Sequence, residues 1–237
     1  MTMGKNKTIT HLLSIMLIFM VVFTCIPVAS GSIEASAATK EMKGTVYRQV
    51  IKRGNTVYCA YNEDGDYTIL KVNLNTGKKT KLVKNAFRMA GMKQRGSYLY
   101  YGVGFETPQF NLYRVNVKTG KKQKLARVYS VGSGYPAYVL GKTRIYYREA
   151  YWSKKTDFVA SRNRQIKLNG TGKKRLYNTR IRVSGKRSNV SGYKVIYKGF
   201  NYHYDSDFEE YVYDYYNCYL QKPDGSRIYL AKVDDYW

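Results

Sequence analysis

A decapeptide that recurs does most to limit what this 237-residue chain can fold into. Asn73-Leu-Asn-Thr-Gly-Lys-Lys-Thr-Lys-Leu82 returns as Asn116-Val-Lys-Thr-Gly-Lys-Lys-Gln-Lys-Leu125. A third copy, Lys167-Leu-Asn-Gly-Thr-Gly-Lys-Lys-Arg-Leu176, has one residue more before the aligned glycine and one fewer after it. The fourth, Gln221-Lys-Pro-Asp-Gly-Ser-Arg-Ile-Tyr-Leu230, keeps only the turn and the closing leucine. The aligned glycines, Gly77, Gly120, Gly172 and Gly225, are spaced by 43, 52 and 53 residues, about the period of a repeat architecture.

Each copy reads as a β-hairpin. Leu70, Val72 and Leu74 alternate with Lys71 and Asn73, and Tyr113, Val115 and Val117 alternate with Arg114 and Asn116. That is the period of a strand with one buried face. Asn75-Thr76-Gly77, Lys118-Thr119-Gly120 and Pro223-Asp224-Gly225 then suit a type I turn closed by a left-handed residue, a conformation glycine takes without steric cost. An apolar-aromatic strand precedes each hairpin: Val57 to Cys59, Leu99 to Tyr101, Ile145 to Tyr147 and Val195 to Tyr197. The expectation is an all-β, propeller-like array of about four antiparallel blades. A closed ring is expected over an open fragment, with the upstream strand Thr45 to Ile51 completing the last blade.

Residues 1–37 have the layout of a signal peptide. Lys5 and Lys7 precede an apolar stretch from Leu12 to Phe23, and Ala35-Ser36-Ala37 offers small residues for cleavage; the stretch is too short for a membrane span. The division expected is a signal peptide at 1–37, a short linker at 38–43 and the repeat domain at 44–237. The mature protein is then secreted or associated with the cell wall, without a transmembrane span. It keeps Cys59 and Cys218, a single possible pair in an exported protein, which fit buried core positions better as free thiols than as a bridge.

Charge limits the partners. The chain holds 41 basic and 16 acidic residues, and removing Lys5, Lys7 and Glu34 with the leader leaves a net charge of +24. From Gly199 onward the sign reverses: Asp205, Asp207, Glu209, Glu210, Asp214, Asp224, Asp234 and Asp235 face only Lys222, Arg227 and Lys232, a net of −5. A basic field of this size draws polyanions. Lys78-Lys79, Lys121-Lys122 and Lys173-Lys174-Arg175 recur beside the aligned glycines, so a repeat fold would align them along one rim as a polyanion-binding surface. The bland reading is that these residues solvate hairpin edges. Anionic cell-wall or surface polysaccharide, or an envelope protein, is the partner expected; export leaves nucleic acid the less available polyanion.

Catalytic constellations are sparse, and no cofactor is implied. Outside the leader the one histidine is His203, and no serine stands in a nucleophile-elbow context. Asp205, Asp207, Glu209 and Glu210 are the only residues a metal reading could use, at a spacing that matches no named calcium loop. The same carboxylates define the alternative to a non-enzymatic binding module, a glycan-active enzyme that uses the 205–214 segment and needs two of them across a cleft.

The strand Ile145 to Tyr147, the segment Leu112 to Asn116 and the Gly-Lys-Lys-x-Lys-Leu turn together carry a family likeness. They resemble the blade repeat of a domain family of unknown function in exported proteins of Gram-positive bacteria. Those blades are similar to TolB-type and low-density lipoprotein receptor-type β-propellers. The resemblance covers roughly residues 44–233. It implies a propeller used as a binding or scaffolding surface, with no catalytic residues to carry over, although propellers of this kind usually have more blades than the four counted here.

Overall fold

The computed structural model describes residues 39–63, 65–104, 108–131, 134–206 and 210–234. The signal peptide expected at 1–37 lies outside them. The described residues form strands and turns with no helix.

Four antiparallel sheet units follow the repeat. The first holds the end of β1 (Lys40–Arg53), β2 (Thr56–Glu63), β3 (Asp66–Asn73) and β4 (Lys79–Phe87). The second holds β5 (Ala90–Arg95), β6 (Tyr98–Gly104), β7 (Gln109–Asn116) and β8 (Lys122–Val131). Two-residue β9 (Tyr135–Pro136) pairs with β8. The third unit holds β10 (Tyr138–Leu140), β11 (Arg144–Ser153), β12 (Phe158–Lys167) and β13 (Lys174–Arg175). After β14 (Thr179–Ser188), the fourth holds β15 (Lys194–Asp205), β16 (Glu210–Gln221) and β17 (Arg227–Val233).

The turns explain the repeated residues. Asn73 Oδ1 accepts from the backbone N–H of Asn75 (2.9 Å) and Thr76 (3.2 Å), and Thr76 Oγ1 accepts from Lys78 N–H (3.3 Å). Asn116 and Thr119 repeat those bonds onto Lys118, Thr119 and Lys121 at the same distances. Gly77 and Gly120 donate to Asn73 and Asn116 carbonyls four residues back, at φ of 67° and 73°. The third and fourth turns belong to a tighter class. Gly170 and Gly225 donate to the carbonyls of Lys167 and Lys222 three residues back, and Asn169 and Asp224 side chains accept from Thr171 and Ser226 N–H. The counterpart of Gly225 is therefore Gly170, at φ 89°; Gly172, also at positive φ, comes two residues later. The irregular spacing of the third copy reflects this change of turn.

Three cores join the units in the order fourth, first, second, third. Val57, Cys59, Leu70 and Val72 of the first unit pack with Val195, Cys218, Leu220 and Leu230 of the fourth. Tyr58, Ala60 and Ile69 on the other face of the first unit pack with Leu99, Tyr101 and Val115 of the second. Tyr100 and Leu112 then meet Ile145, Tyr147 and Ile166 of the third. Cys59 and Cys218 are free and buried, and burial pushes the Cys59 thiol up to about 12, which keeps it protonated and unreactive.

Strand pairing does not close this array: the sheet path ends at β13 on one side and at β4 on the other, and β15–β17 form a separate sheet. The N-terminal strand does not complete the last unit. Lys40 to Tyr47 pair in parallel with β14, and Val50 to Arg53 pair with β2. A register shift lies between Tyr47 and Val50, and Val50 pairs with both Ser188 of β14 and Cys59 of β2; β1 feeds all three cores through Val46, Val50 and Ile51. In β11 and β12 the residues that alternate with Ile145, Tyr147 and Ile166 are Tyr146, Arg148, Ala150, Ser161, Asn163 and Gln165, a mixed face on which Asn163 Nδ2 donates to Thr179 O of β14.

Candidate functional site

The repeat also supplies the joints between units. Lys71 Nζ of the first unit reaches Val117 O of the second at 3.4 Å, and Arg114 Nη1, at the same repeat position, reaches Leu168 O of the third at 3.0 Å. Gln123 Nε2 adds a bond to Asn169 O at 3.0 Å. Part of the basic excess is therefore structural.

Strand register decides which turn cations are equivalent. Val72 faces Lys79 and Val115 faces Lys122, while Gln165 faces Lys174, so Lys173 stands in line with Lys79 and Lys122. Those three do different work. Lys79 Nζ donates to Tyr229 O (3.1 Å) in the fourth unit and sits 5.1 Å from the Tyr229 ring centre. Lys173 is drawn into an ion pair with buried Glu149. Lys78, Lys121, Lys122, Lys174 and Arg175 are exposed, with the Arg175 guanidinium over the Tyr177 ring. The seven residues of the expected rim are thus divided between joints, an internal ion pair and open surface.

A cationic groove of about 210 Å³ lies between the first and second units. One wall is β4, with Val83, Lys84, Asn85 and Ala86; the other side is β6 to β8, with Tyr101, Val103, Tyr113, Lys122, Gln123 and Lys124. Local sequence builds it. Between the pairs Tyr67–Ala86 and Ile69–Val83, β4 carries one residue more than β3, a bulge with Asn85 at φ 52°. Asparagine tolerates that left-handed conformation, and bulges re-aim neighbouring side chains. Across the groove, β8 has its own extra residue between Ala126 and Lys124. The floor rings of Tyr101 and Tyr113 stack at 5.8 Å and 20°, and burial pushes the Tyr101 hydroxyl well above its ordinary value, so it stays protonated. Three lysines thus line a recess that also holds the Tyr101–Tyr113 stack, and no acidic residue lines it. A phosphate, carboxylate or sulfate bound there gains charge attraction and hydrogen-bond donors without displacing an internal carboxylate. Lys122 was among the rim residues expected from sequence; Lys84 and Lys124 were not, although Lys124 belongs to the repeated Gly-Lys-Lys-x-Lys-Leu string.

A second charged cluster is internal. Glu149 of β11 is 6% exposed and accepts from Arg162 Nε at 2.6 Å, Arg164 Nε at 3.0 Å and Lys173 Nζ. Burial works against its charged form, but the hydrogen bonds from Lys173, Arg162 and Arg164 outweigh it and hold the carboxyl at about 2. The signal in sequence is that Glu149 is the single acidic residue between Glu106 and Asp157.

The acidic segment is placed only in part. Asp207 and Glu209 lie outside the described residues, and Asp205 and Glu210 are paired across the ends of β15 and β16. Asp214 is exposed, accepts from Asn201 Nδ2 at 2.8 Å and lies 3.3 Å from His203 Nδ1. Among the described residues no group of three His, Cys, Asp or Glu side chains could hold a metal ion.

No family model matches the chain, and no curated protein matches it. Among solved structures it is similar to AtxE2 isopeptidase in the apo state (TM-score 0.41, 12% identity, 76% of this chain and 26% of that one). It is also similar to the tricorn protease (TM-score 0.43, 13% identity, 73% and 17%) and to a putative TolB from Agrobacterium tumefaciens (TM-score 0.36, 16% identity, 76% and 62%). The chain spans about a quarter of the isopeptidase, less of the protease, and under two thirds of that TolB.

Proposed function

We propose that this protein is an exported, non-enzymatic binding module of the cell envelope whose four-unit, propeller-like body holds an anionic polymer. The observation that carries the reading is the convergence of Lys84, Lys122 and Lys124 on a groove with no acidic lining residue. The body's net positive charge favours the same class of partner: the chain as a whole is at +25 although its last 39 residues are at −5. Wall teichoic acid and acidic surface polysaccharide have the required repeating negative charge. Support for a ring-like arrangement comes from the parallel β1–β14 pairing, which ties the N-terminal strand to the segment between the third and fourth units.

The reading is tested by titrating the mature chain with polyglycerol phosphate. Exposed ammonium contacts weaken as the Debye length falls from about 10 Å at 0.1 M salt to about 3 Å at 1 M. Affinity should drop steeply over that range, and the triple substitution Lys84→Gln, Lys122→Gln, Lys124→Gln should weaken it about tenfold at 0.1 M. Undiminished affinity at molar salt, or in the triple variant, would show that the groove does not hold the polymer.

A further inference from the structure

One strand edge is left open that the polyanion reading does not use. The sheet path ends at β13, but β13 covers only part of β12: Arg175 and Lys174 face Arg164 and Gln165, and Leu176 N–H donates to Asn163 O at 2.9 Å. From Phe158 to Arg162, among the described residues, no strand pairs with β12 on that side. Two backbone bonds fix which groups face outward. Leu168 N–H donates to Thr143 O on the β11 side, so in the unbroken β11–β12 register Phe158, Ala160 and Arg162 also turn their backbone groups to β11. Val159 and Ser161, in step with Asn163, turn theirs outward. Their N–H and C=O groups are therefore set to bond an incoming strand.

Other edges of the array are guarded. β4 is bulged at Asn85 and carries exposed Lys81 and Lys84, and Lys79 Nζ covers Tyr229 O and Leu230 O of β17 at 3.1 Å and 3.5 Å. Charges, bulges and prolines are the usual means of keeping an edge from pairing. Val159, Ala160 and Ser161 bring none of them, and the β11–β12 ladder runs from Arg144–Lys167 to Ser153–Phe158 without a shift. Phe158 is 73% exposed, and Trp152, opposite Val159, is 60% exposed. Successive side chains alternate, so the ribbon presents one aromatic ring on each face.

Charge selects the occupant. Exposed Lys154 and Lys155 stand in the turn at one end of this edge and exposed Lys174 and Arg175 at the other, against one carboxylate in that turn, Asp157. Glu149 is already engaged by Arg162, Arg164 and Lys173. An acidic strand gains at both ends. A second copy of the edge fits badly, because antiparallel pairing of Val159 with Ser161 brings the Lys154–Lys155 turn of each copy against Lys174 and Arg175 of the other. Polyglycerol phosphate could meet the cations but has no N–H to offer the Val159 and Ser161 carbonyls.

We propose that the Phe158–Arg162 edge of β12 accepts an extended, acidic segment of a partner protein as an added strand, bonded through Val159 and Ser161 and held at its ends by Lys154, Lys155, Lys174 and Arg175. Strand addition draws affinity from main-chain bonds and specificity from the flanking side chains. The third unit then carries a protein contact, apart from the polymer groove between the first and second.

The probe is an acetylated, amidated peptide of alternating valine and threonine with two aspartates at each end, titrated into the mature chain and followed by calorimetry and amide hydrogen exchange. Saturable binding below about 1 mM is expected, with slower exchange at Val159 and Ser161 and none of that change at Phe158, Ala160 and Arg162, which β11 already bonds. Lys154→Gln with Lys155→Gln should weaken it about fivefold. Val159→Pro, which removes an outward N–H and no β11 bond, should abolish it while leaving the affinity for polyglycerol phosphate unchanged. The same peptide N-methylated throughout should not bind. Failure of the unmodified peptide to bind at about 1 mM would overturn the proposal. So would equal affinity for the N-methylated form, which would reduce the contact to charge, or a concentration-dependent dimer in sedimentation that Val159→Pro abolishes, which would make the edge a contact between copies of the chain.

Discussion

The two central sheet units and the two end units are built from the same hairpin, yet they differ in how many faces are apolar. In the first unit Val57, Cys59 and Tyr61 point into one core while Tyr58 and Ala60 point into another. In the second, Leu99 and Tyr101 point one way and Tyr100 the other. The third unit is apolar on the side of Ile145 and Tyr147 and polar on the side of Arg148 and Asn163, and the fourth buries Val195, Cys218 and Leu220 against the first unit alone. Stacked repeats that bury two faces must lie inside an array, and repeats with one polar face must end it. The order fourth, first, second, third follows from face chemistry. Chain order does not dictate it.

The largest effect should come from a residue of a central unit. Leu99 is fully buried between the first and second units, and Leu99→Ala should cost about 2–5 kcal/mol, from lost transfer energy and the cavity left behind. Urea unfolding of the mature chain measures it; a loss below about 1 kcal/mol would mean that the central joint is not the main source of cohesion.

A smaller effect is expected at Glu149, in the third unit, where charge takes over from apolar contact. Glu149→Gln leaves Arg162, Arg164 and Lys173 facing a neutral amide, and the cost should be about 2 kcal/mol, below the figure for a dry buried pair because the cations reach solvent. The sign with pH is fixed by the direction of the shift. The folded carboxyl is held at about 2, below the unfolded value of about 4.3. Its contribution is therefore present above the unfolded value and is lost as pH falls through about 2. Stability curves of wild type and variant should diverge at neutral pH and converge in strong acid; curves that stay parallel would remove Glu149 from the account.

The smallest effect should belong to the outer face of the third unit. Gln165→Ala alters a polar position that no core uses, and stability should stay within about 0.5 kcal/mol of wild type. A cost of about 2 kcal/mol or more, by the same urea measurement, would show that Gln165 carries a packing contact on that face beyond the Asn163–Thr179 bond.

Some of this architecture was open to reading. The Asn-x-x-Thr-Gly-Lys string forms the same turn in the first and second units because its bonds are local: Asn73 and Asn116 close rings within a few residues. The run Val57 to Tyr61, apolar at every position, already marks a strand buried on both faces, whereas Arg148, Asn163 and Gln165 alternate with Ile145, Tyr147 and Ile166. Counting hairpins ignores that distinction. In the groove, Lys122 could be picked out from the repeat, but Lys84 could not, since its place depends on a bulge in β4 set by how β3 and β4 pair.

Local residue order and composition account for the repeated hairpin, the turns of the first two units, the all-β class and the opposed charges of body and C-terminal segment. Packing alone makes Lys79 serve a joint with Tyr229, pairs Lys173 with Glu149, carries β1 from β14 to β2 and sets Gly199 against the Tyr213 ring. Each of these joins residues that only packing brings together, in most cases tens of residues or more apart in the chain, and whether a lysine becomes an anchor, a counter-ion or free surface depends on which carbonyl, carboxylate or water the packed sheets leave within its reach.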